Sequence, residues 1–189
     1  MTVEQEVLAR VTRLLTHLGI PYMIAGSLAS SFHGRPRTTH DADIVIDPVP
    51  EALDRLVAEL SAAHLYVDLT VAREALRGRR QFNVIDAASA FKLDLIVRKE
   101  RPFSREEFAR RQPAELAGIP VALATAEDTI LSKLEWAMKG GGSERQLADV
   151  AGIIDVKGSE LDREYIHRWA AALDVLDLWR RASGTDRPA

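Results

Sequence analysis

The sequence predicts an α+β fold, a first module of short strands and helices followed by a helical subdomain. Two observations carry that prediction. Up to about residue 124, short runs with strand patterning alternate with amphipathic stretches of helical period. From Thr125 onward every apolar pattern is helical. The expected division is therefore a first module over residues 1–124 and a helical subdomain over 125–189. At 189 residues and 47% hydrophobic, the chain can bury a substantial core.

The elements follow in order. Val7, Leu8, Val11, Leu14, Leu15 and Leu18 share helical spacing over Val3 to Leu18, and Gly19 stops that helix. Pro21 to Ala25 reads as a short buried strand broken by Gly26-Ser27, and a short helix follows from Leu28 to Phe32. Asp41 to Asp47 is a strand closed by Pro48 and Pro50. An amphipathic helix spans Pro50 to Ala63 with Leu53, Leu56, Val57 and Leu60 on one face. Leu65 to Val67 is a short strand and Val71 to Leu76 a short helix. Gln81 to Ile85 and Phe91 to Val97 are strands joined as a hairpin by Asp86-Ala87-Ala88-Ser89. Ser104 is placed to cap a helix reaching Arg111, with Glu107 completing a capping box, and Val121 to Leu123 is the last strand. Thr125 and Asp128 cap the next helix, which carries Ile130, Leu131, Leu134 and Met138. Beyond the joint Gly140-Gly141-Gly142, three more helices are expected over Ser143 to Val156, Asp162 to Leu173 and Val175 to Ala182.

Composition excludes several classes. With 25 Lys and Arg against 28 Asp and Glu, the net charge of -3 disfavours a non-specific nucleic-acid coat protein. The absence of Cys removes disulfide scaffolds, thiolate zinc sites and cysteine nucleophiles. The first residues mix charge into apolar positions and read as a helix, and no uncharged apolar run reaches the ~20 residues of a membrane span. The expectation is a cytoplasmic protein with no membrane partner.

Chemistry concentrates in three places. Asp41 and Asp43 open an otherwise apolar strand, and residues i and i+2 of a strand face the same side, roughly 6.6–7 Å apart. Two like charges so placed want a cation between them. Oxygen-only ligands suit a hard ion such as Mg²⁺, held by carboxylates plus substrate phosphates. A pair of solvated strand-end aspartates is the bland alternative. Gly26-Ser27 stands between a strand and a helix, where backbone N–H groups and the helix dipole can seat a phosphate; simple N-capping is the alternative there. Asp94 lies within a strand-like run, Phe91 to Val97, where an aspartate wants a ligating role or a partner such as Lys92. A third carboxylate beside the first two would suit in-line phosphoryl displacement.

Gly26-Ser27, thirteen residues, Asp41-Ala42-Asp43-Ile44 and a later strand aspartate, Asp94, together resemble the signature of the nucleotidyltransferase superfamily. Lys92-x-Asp94, Asp128 with four residues before Lys133, and Asp149 in a following helix resemble the abortive-infection Eii type toxins. Those are the nucleotidyltransferase halves of bacterial toxin–antitoxin pairs. The resemblance implies a mixed β-sheet flanked by helices, in a nucleotidyltransferase-like catalytic domain over 1–124 that moves a nucleoside monophosphate from an NTP to an acceptor hydroxyl. The acceptor would be an RNA or tRNA end, a protein or a small molecule, and a cognate antitoxin would be a partner. Asp41, Asp43 and Asp94 would hold Mg²⁺ or Mn²⁺, with Asp94 also a candidate base. Gly26 and Ser27 would hold the triphosphate, with Arg37 a further phosphate ligand. Lys133 would neutralise β/γ-phosphate charge, with Asp128 orienting it, and Lys92 joins the nucleotide-binding set. An antibiotic-type adenylyltransferase and a non-catalytic nucleotide-binding or partner-binding module are the alternatives.

Other residues read blandly. Lys133, Glu135 and Lys139 also fit a solvated helix face, and Arg145, Asp149 and Asp155 fit surface charges or intrahelix pairs. His33 and His40 flank the Asp41–Asp43 motif without a third nitrogen or sulfur ligand for zinc. Two basic segments, Arg73 to Arg80 and Arg98 to Arg111, are rich enough in Arg and Lys for a modest RNA contact.

Overall fold

The computed structural model describes residues 2–39, 41–140 and 143–184. The expectations on His40, and on Gly141 and Gly142 within the glycine joint, lie outside those residues. In chain order the elements begin with α1 (Val3–His17), β1 (Tyr22–Ile24), α2 (Gly26–His33), β2 (Asp41–Ile46), α3 (Pro50–Ala62), β3 (Leu65–Tyr66) and α4 (Leu69–Gly78). Then come β4 (Gln81–Asp86), β5 (Lys92–Val97), α5 (Pro102–Ala109), β6 (Gln112–Leu116) and β7 (Ile119–Leu123). The chain closes on α6 (Ala126–Lys139), α7 (Glu144–Lys157), α8 (Arg163–Ala172) and α9 (Leu176–Ser183). Two compact units result: Met1–Ala25 with Thr39–Leu123, and Gly26–Thr38 with Ala124–Ala189.

The first unit is built on one mixed sheet in the order β3-β4-β5-β2-β1-β7-β6. β2 runs parallel to β5 and β1 parallel to β7, while the remaining neighbours are antiparallel. Period-2 alternation buries Ala42, Ile44 and Ile46 of β2 and Leu93, Leu95 and Val97 of β5. Leu8, Val11 and Leu15 of α1 and Leu53, Leu56 and Leu60 of α3 are buried as well, as the helical spacing requires. Burying a Leu or Val side chain contributes about 1.5–3 kcal/mol, so the apolar periodicity is what sets this architecture.

Two local features of the first unit differ from expectation. β6 (QPAEL) is an edge strand with only Leu116 strongly apolar, so its sequence carries no strand pattern. Its pairing comes from β7 through the tight turn at Ala117 and Gly118, where φ is +49° and +82°, and an edge strand accommodates Pro113. Ser104 is not a helix cap. α5 starts three residues earlier, capped at Arg101, because Pro102 fits the first helical position, and Ser104 Oγ, inside the first turn, accepts from Arg101 Nε at 2.9 Å.

The second unit packs α2 against α6 and α7, with α8 and α9 completing a helical cluster. α2 begins at Gly26, where φ is +57°, a left-handed conformation that favours glycine. Its far end approaches α7 closely: a Cβ on Gly34 would lie 2.8 Å from the Ile153 backbone nitrogen. Val150 and Ile153 of α7, Ile130, Leu131 and Leu134 of α6, and Ile166 of α8 form the buried interior.

Candidate functional site

In the first unit, register does the work of placing charge. The parallel ladder sets Asp41 opposite Lys92 and Asp43 opposite Asp94. Ladder partners point to the same face, and so do i and i+2 along each strand, so four charged side chains form a square on one face of the sheet. The opposite face carries Ala42, Ile44, Leu93 and Leu95, all buried, which forbids a one-residue slip that would turn the carboxylates inward. The Ala25 N–H donates to Asp43 O at 2.9 Å and fixes the start of β2. Asp41 Oδ1 accepts from Thr39 Oγ1 at 2.7 Å.

Asp43 and Asp94 are like charges on adjacent strands, an arrangement that is unfavourable without a cation. Lys92 supplies one: its Nζ donates to Asp94 Oδ2 at 2.9 Å. That hydrogen bond, with the charges of Asp94, Asp41 and Asp43, outweighs partial burial and holds the Lys92 ammonium above the ordinary lysine range. Asp94 is 6% exposed, and its Oδ1 is buried with no hydrogen-bond partner.

The three aspartates are not gathered as one ligand cage. Among the described residues no group of three or more His, Asp or Glu side chains is placed to hold an ion. Strand geometry gives the reason: Asp41 stands one full pleat from Asp43, and Asp94 is drawn onto Lys92. The donor chemistry nonetheless fits Mg²⁺ or Mn²⁺, since such ions take one or two carboxylates and complete their shell with water and substrate phosphates. The partnerless, buried Asp94 Oδ1 beside Asp43 is an oxygen with that role open to it.

In the second unit, Asp149 of α7 is the hub. Arg37 donates to it from Nε at 2.9 Å and Nη2 at 3.1 Å, Lys133 from Nζ at 2.8 Å, and Ser30 Oγ lies 3.3 Å away. Arg37 Nη2 also donates to Ser27 Oγ at 2.6 Å. Ser27, Arg37 and Lys133 are thus brought into one hydrogen-bonded network headed by Gly26 at the start of α2. The side chains of Lys133 and Asp149 are 6% and 8% exposed. Burial pushes the Asp149 carboxyl up, but hydrogen bonds and charge from Arg37 and Lys133 outweigh it and hold the group below the usual range. Two cations around one carboxylate leave an excess positive charge, which suits an anionic ligand.

Asp149, weighed in sequence as a surface charge, therefore has its side chain turned inward, 8% exposed. The signal for it was a carboxylate four residues before Ile153, on the apolar face of α7. Asp155 also makes a tertiary pair, with Arg35 at 2.7 Å. Lys133 is not a solvated lysine, and the carboxylate that orients it is Asp149. Asp128 lies five residues before Lys133, about 140° around the helix, so it sits on a different face. It accepts from Thr125 Oγ1 at 2.7 Å and from Tyr165 OH at 2.5 Å, fully buried, and joins α6 to α8. Sequence gave no reason to single out Tyr165 beyond packing.

Several cations of the two basic segments are held in ion pairs. Arg73 pairs with Asp54, Arg79 and Arg98 both bond Asp47 and Glu100, and Arg105 bonds Glu100. Among the described residues no helix is long and apolar enough to cross a membrane.

No known protein-family model matches the chain, and no curated protein matches it by sequence. Solved structures do. ANT(2'')-Ia in complex with adenylyl-2''-tobramycin is similar with a TM-score of 0.61 and 15% identity, over 92% of this chain and 98% of that one. The fold is nucleotidyltransferase-like. An antigenic nucleotidyltransferase-like protein from Paracoccidioides brasiliensis is similar with a TM-score of 0.58 and 16% identity, over 91% of this chain and 92% of that one. The lincosamide antibiotic adenylyltransferase LnuA, lincomycin-bound, is similar at 0.55 and 10% identity, over 82% of this chain and 98% of that one. In this nucleotidyltransferase-like fold the mixed sheet carries the charged square of β2 and β5.

Proposed function

We propose that the chain is a metal-dependent nucleotidyltransferase that moves a nucleoside monophosphate from an NTP to an acceptor hydroxyl. The observation that carries this is the pairing of Asp43 with Asp94, whose buried Oδ1 has no partner, on the sheet of a nucleotidyltransferase-like fold. Asp43 and Asp94, with Asp41 at the strand entrance, would hold Mg²⁺ or Mn²⁺. The ion, when bound, supplies positive charge against that of the phosphates. Gly26 and Ser27 bind the triphosphate through backbone N–H groups and the Ser27 hydroxyl, and Arg37 and Lys133 offset its charge. Asp149 holds both cations in fixed rotamers, so little is lost in ordering them when the anion arrives. Asp128 has a supporting role, bracing α6 under Lys133. In such a transfer, orientation and charge stabilisation do most of what the protein contributes.

For the acceptor, the Eii-type resemblance supports a toxin-like enzyme of the cytoplasm that modifies RNA, a tRNA end or a protein and is restrained by a cognate antitoxin. A small-molecule reading is favoured by one observation: the chain matches the near-full length of ANT(2'')-Ia and LnuA, which are seen with antibiotic ligands or products. The decisive experiment incubates the protein with Mg²⁺ and each α-labelled NTP. Total RNA, lysate protein, and a panel of aminoglycosides and lincosamides are offered as acceptors. Label in RNA or protein supports the toxin-like reading, and label in an antibiotic supports the other. Labelling that survives intact in Asp43→Ala would sink the metal-dependent mechanism.

A further inference from the structure

Lys92 occupies the place where the carboxylate face needs a cation. It stands opposite Asp41 in the ladder and two residues before Asp94 on the same strand, so all four charged side chains share a face. Its ammonium is 2.9 Å from Asp94 Oδ2 and carries the attraction of Asp41 and Asp43 as well. The pair makes a poor structural fastener. Residues i and i+2 on one strand tie no two elements together, so the bond adds no tertiary crosslink. What it does is neutralise a buried carboxylate that faces another carboxylate, offsetting the penalty that a lone buried charge would otherwise carry. The Lys92 side chain is 39% exposed, against 9% for Asp94, and its four-carbon stem allows the head group to leave for solvent while Asp94 stays fixed.

We propose that Lys92 is a built-in stand-in for the metal: its ammonium balances the Asp41, Asp43 and Asp94 charges in the metal-free protein, and a divalent ion enters by displacing it. The inference rests on the metal-dependent reading above and deepens it. Displacement weakens intrinsic metal affinity and frees an ammonium beside the site to meet an anionic phosphate. Metal and nucleotide therefore reinforce one another's binding, because the ion that evicts Lys92 creates the cation that greets the triphosphate.

The test is Mn²⁺ binding by electron paramagnetic resonance to the wild-type chain, Lys92→Met, Lys92→Gln and Asp43→Asn. Removing an ion-paired hydrogen bond that the metal must break is expected to tighten Mn²⁺ binding about tenfold in both Lys92 variants. The effect should persist in 1 M salt, where the screening length is about 3 Å and a mere long-range charge effect fades. In the wild type, Mn²⁺ should also raise the labelling of Lys92 by an amine-reactive reagent severalfold, as read by mass spectrometry. Unchanged or weaker Mn²⁺ binding in the Lys92 variants, or unchanged labelling, overturns the stand-in. Binding that Asp43→Asn leaves intact, or no binding by any form, defeats the metal reading itself and the stand-in with it. Wild-type binding lost in Asp43→Asn but unaltered in the Lys92 variants defeats the stand-in alone.

Discussion

Lys133 Nζ lies 2.8 Å from Asp149 Oδ2, and both side chains are more than nine-tenths out of solvent. The pair joins α6 to α7, and because Arg37 bonds the same carboxylate it also fastens the segment after α2 to the helical cluster. Asp149 is the anion that both cations share, so losing it strands two charges, whereas losing either cation leaves it one partner.

Asp149→Ala is therefore expected to be severe. It leaves the buried Lys133 ammonium and the largely buried Arg37 guanidinium without their shared anion, and should cost about 3–5 kcal/mol in urea unfolding. Lys133→Met should cost less, since Asp149 keeps Arg37. The double variant should be more stable than the sum of the two losses predicts, because the stranded ammonium is gone. Additive losses would mean that the pair is not coupled.

Asp94→Asn separates charge from shape. The amide keeps the volume of the buried side chain but removes the anionic oxygen at Oδ1, where the proposed metal would bind. Nucleotidyl transfer is expected to fall on the order of 10³-fold, several kcal/mol of charge stabilisation. Far-ultraviolet circular dichroism should match wild type. A loss of activity under tenfold would take Asp94 out of the ligand set.

Much of this was legible in the residues, and the exceptions share a cause. The sheet strands through Asp41 and Asp94, and the helices through Leu8, Leu56 and Leu134, announce themselves because one face is apolar at the right period. Which aspartates sit side by side was not legible, since ladder register is a tertiary fact: only the alignment of Asp43 with Asp94 shows it. β6 escaped because its pairing comes from a turn and a partner strand and not from its own composition. Asp149 stood out only through the Eii-type motif, and its partners were not legible: a carboxylate on a helix is usually solvated, and this one is drawn inward by Arg37 and Lys133, far away in sequence.

Tyr165→Phe tests the brace under α6. The Tyr165 hydroxyl donates to Asp128 Oδ1, and Asp128 is fully buried. Phenylalanine fills the same space but takes the donor away from a carboxylate that water cannot reach. The expected loss is about 1–3 kcal/mol in thermal or urea unfolding. An unchanged stability would show that Asp128 is satisfied without Tyr165.

The contact between α2 and α7 depends on a missing side chain. A Cβ at Gly34 would stand 2.8 Å from Ile153 N and 2.9 Å from the Gly152 carbonyl carbon, both backbone atoms that cannot rotate away. Gly34→Ala should force the two helices apart and destabilise by about 1–3 kcal/mol, as overpacking does. Gly19→Ala makes no such clash, although its φ of +64° carries its own strain, so the two variants separate contact from conformation. Equal losses at both would remove close approach as the reason for glycine at Gly34.

His33 makes the stability of the fold depend on pH. His33 is 2% exposed, and its Nε2 lies 2.7 Å from Ala124 O, so Nε2 carries the proton. Its Nδ1 is buried without a partner, and a second proton there would have no acceptor. Burial is the main cause that holds the imidazole below the ordinary value of 6.5; the Ala124 carbonyl and Glu127 oppose it, and Lys157 adds to it. The unfolded chain therefore takes up a proton that the folded one refuses. Stability is full above pH 6.5 and declines as pH falls below that value, by at most about 1.4 kcal/mol per pH unit. Asp149, with its lowered carboxyl, acts in a separate and more acid window: its contribution is present above 3.8 and is lost only below it. Urea unfolding at pH 7.5 and pH 5.0 should show the decline in wild type. In His33→Gln, whose amide can still donate to Ala124 O, the difference between the two pH values should shrink by the histidine's share. An undiminished decline in that variant would place the pH dependence elsewhere.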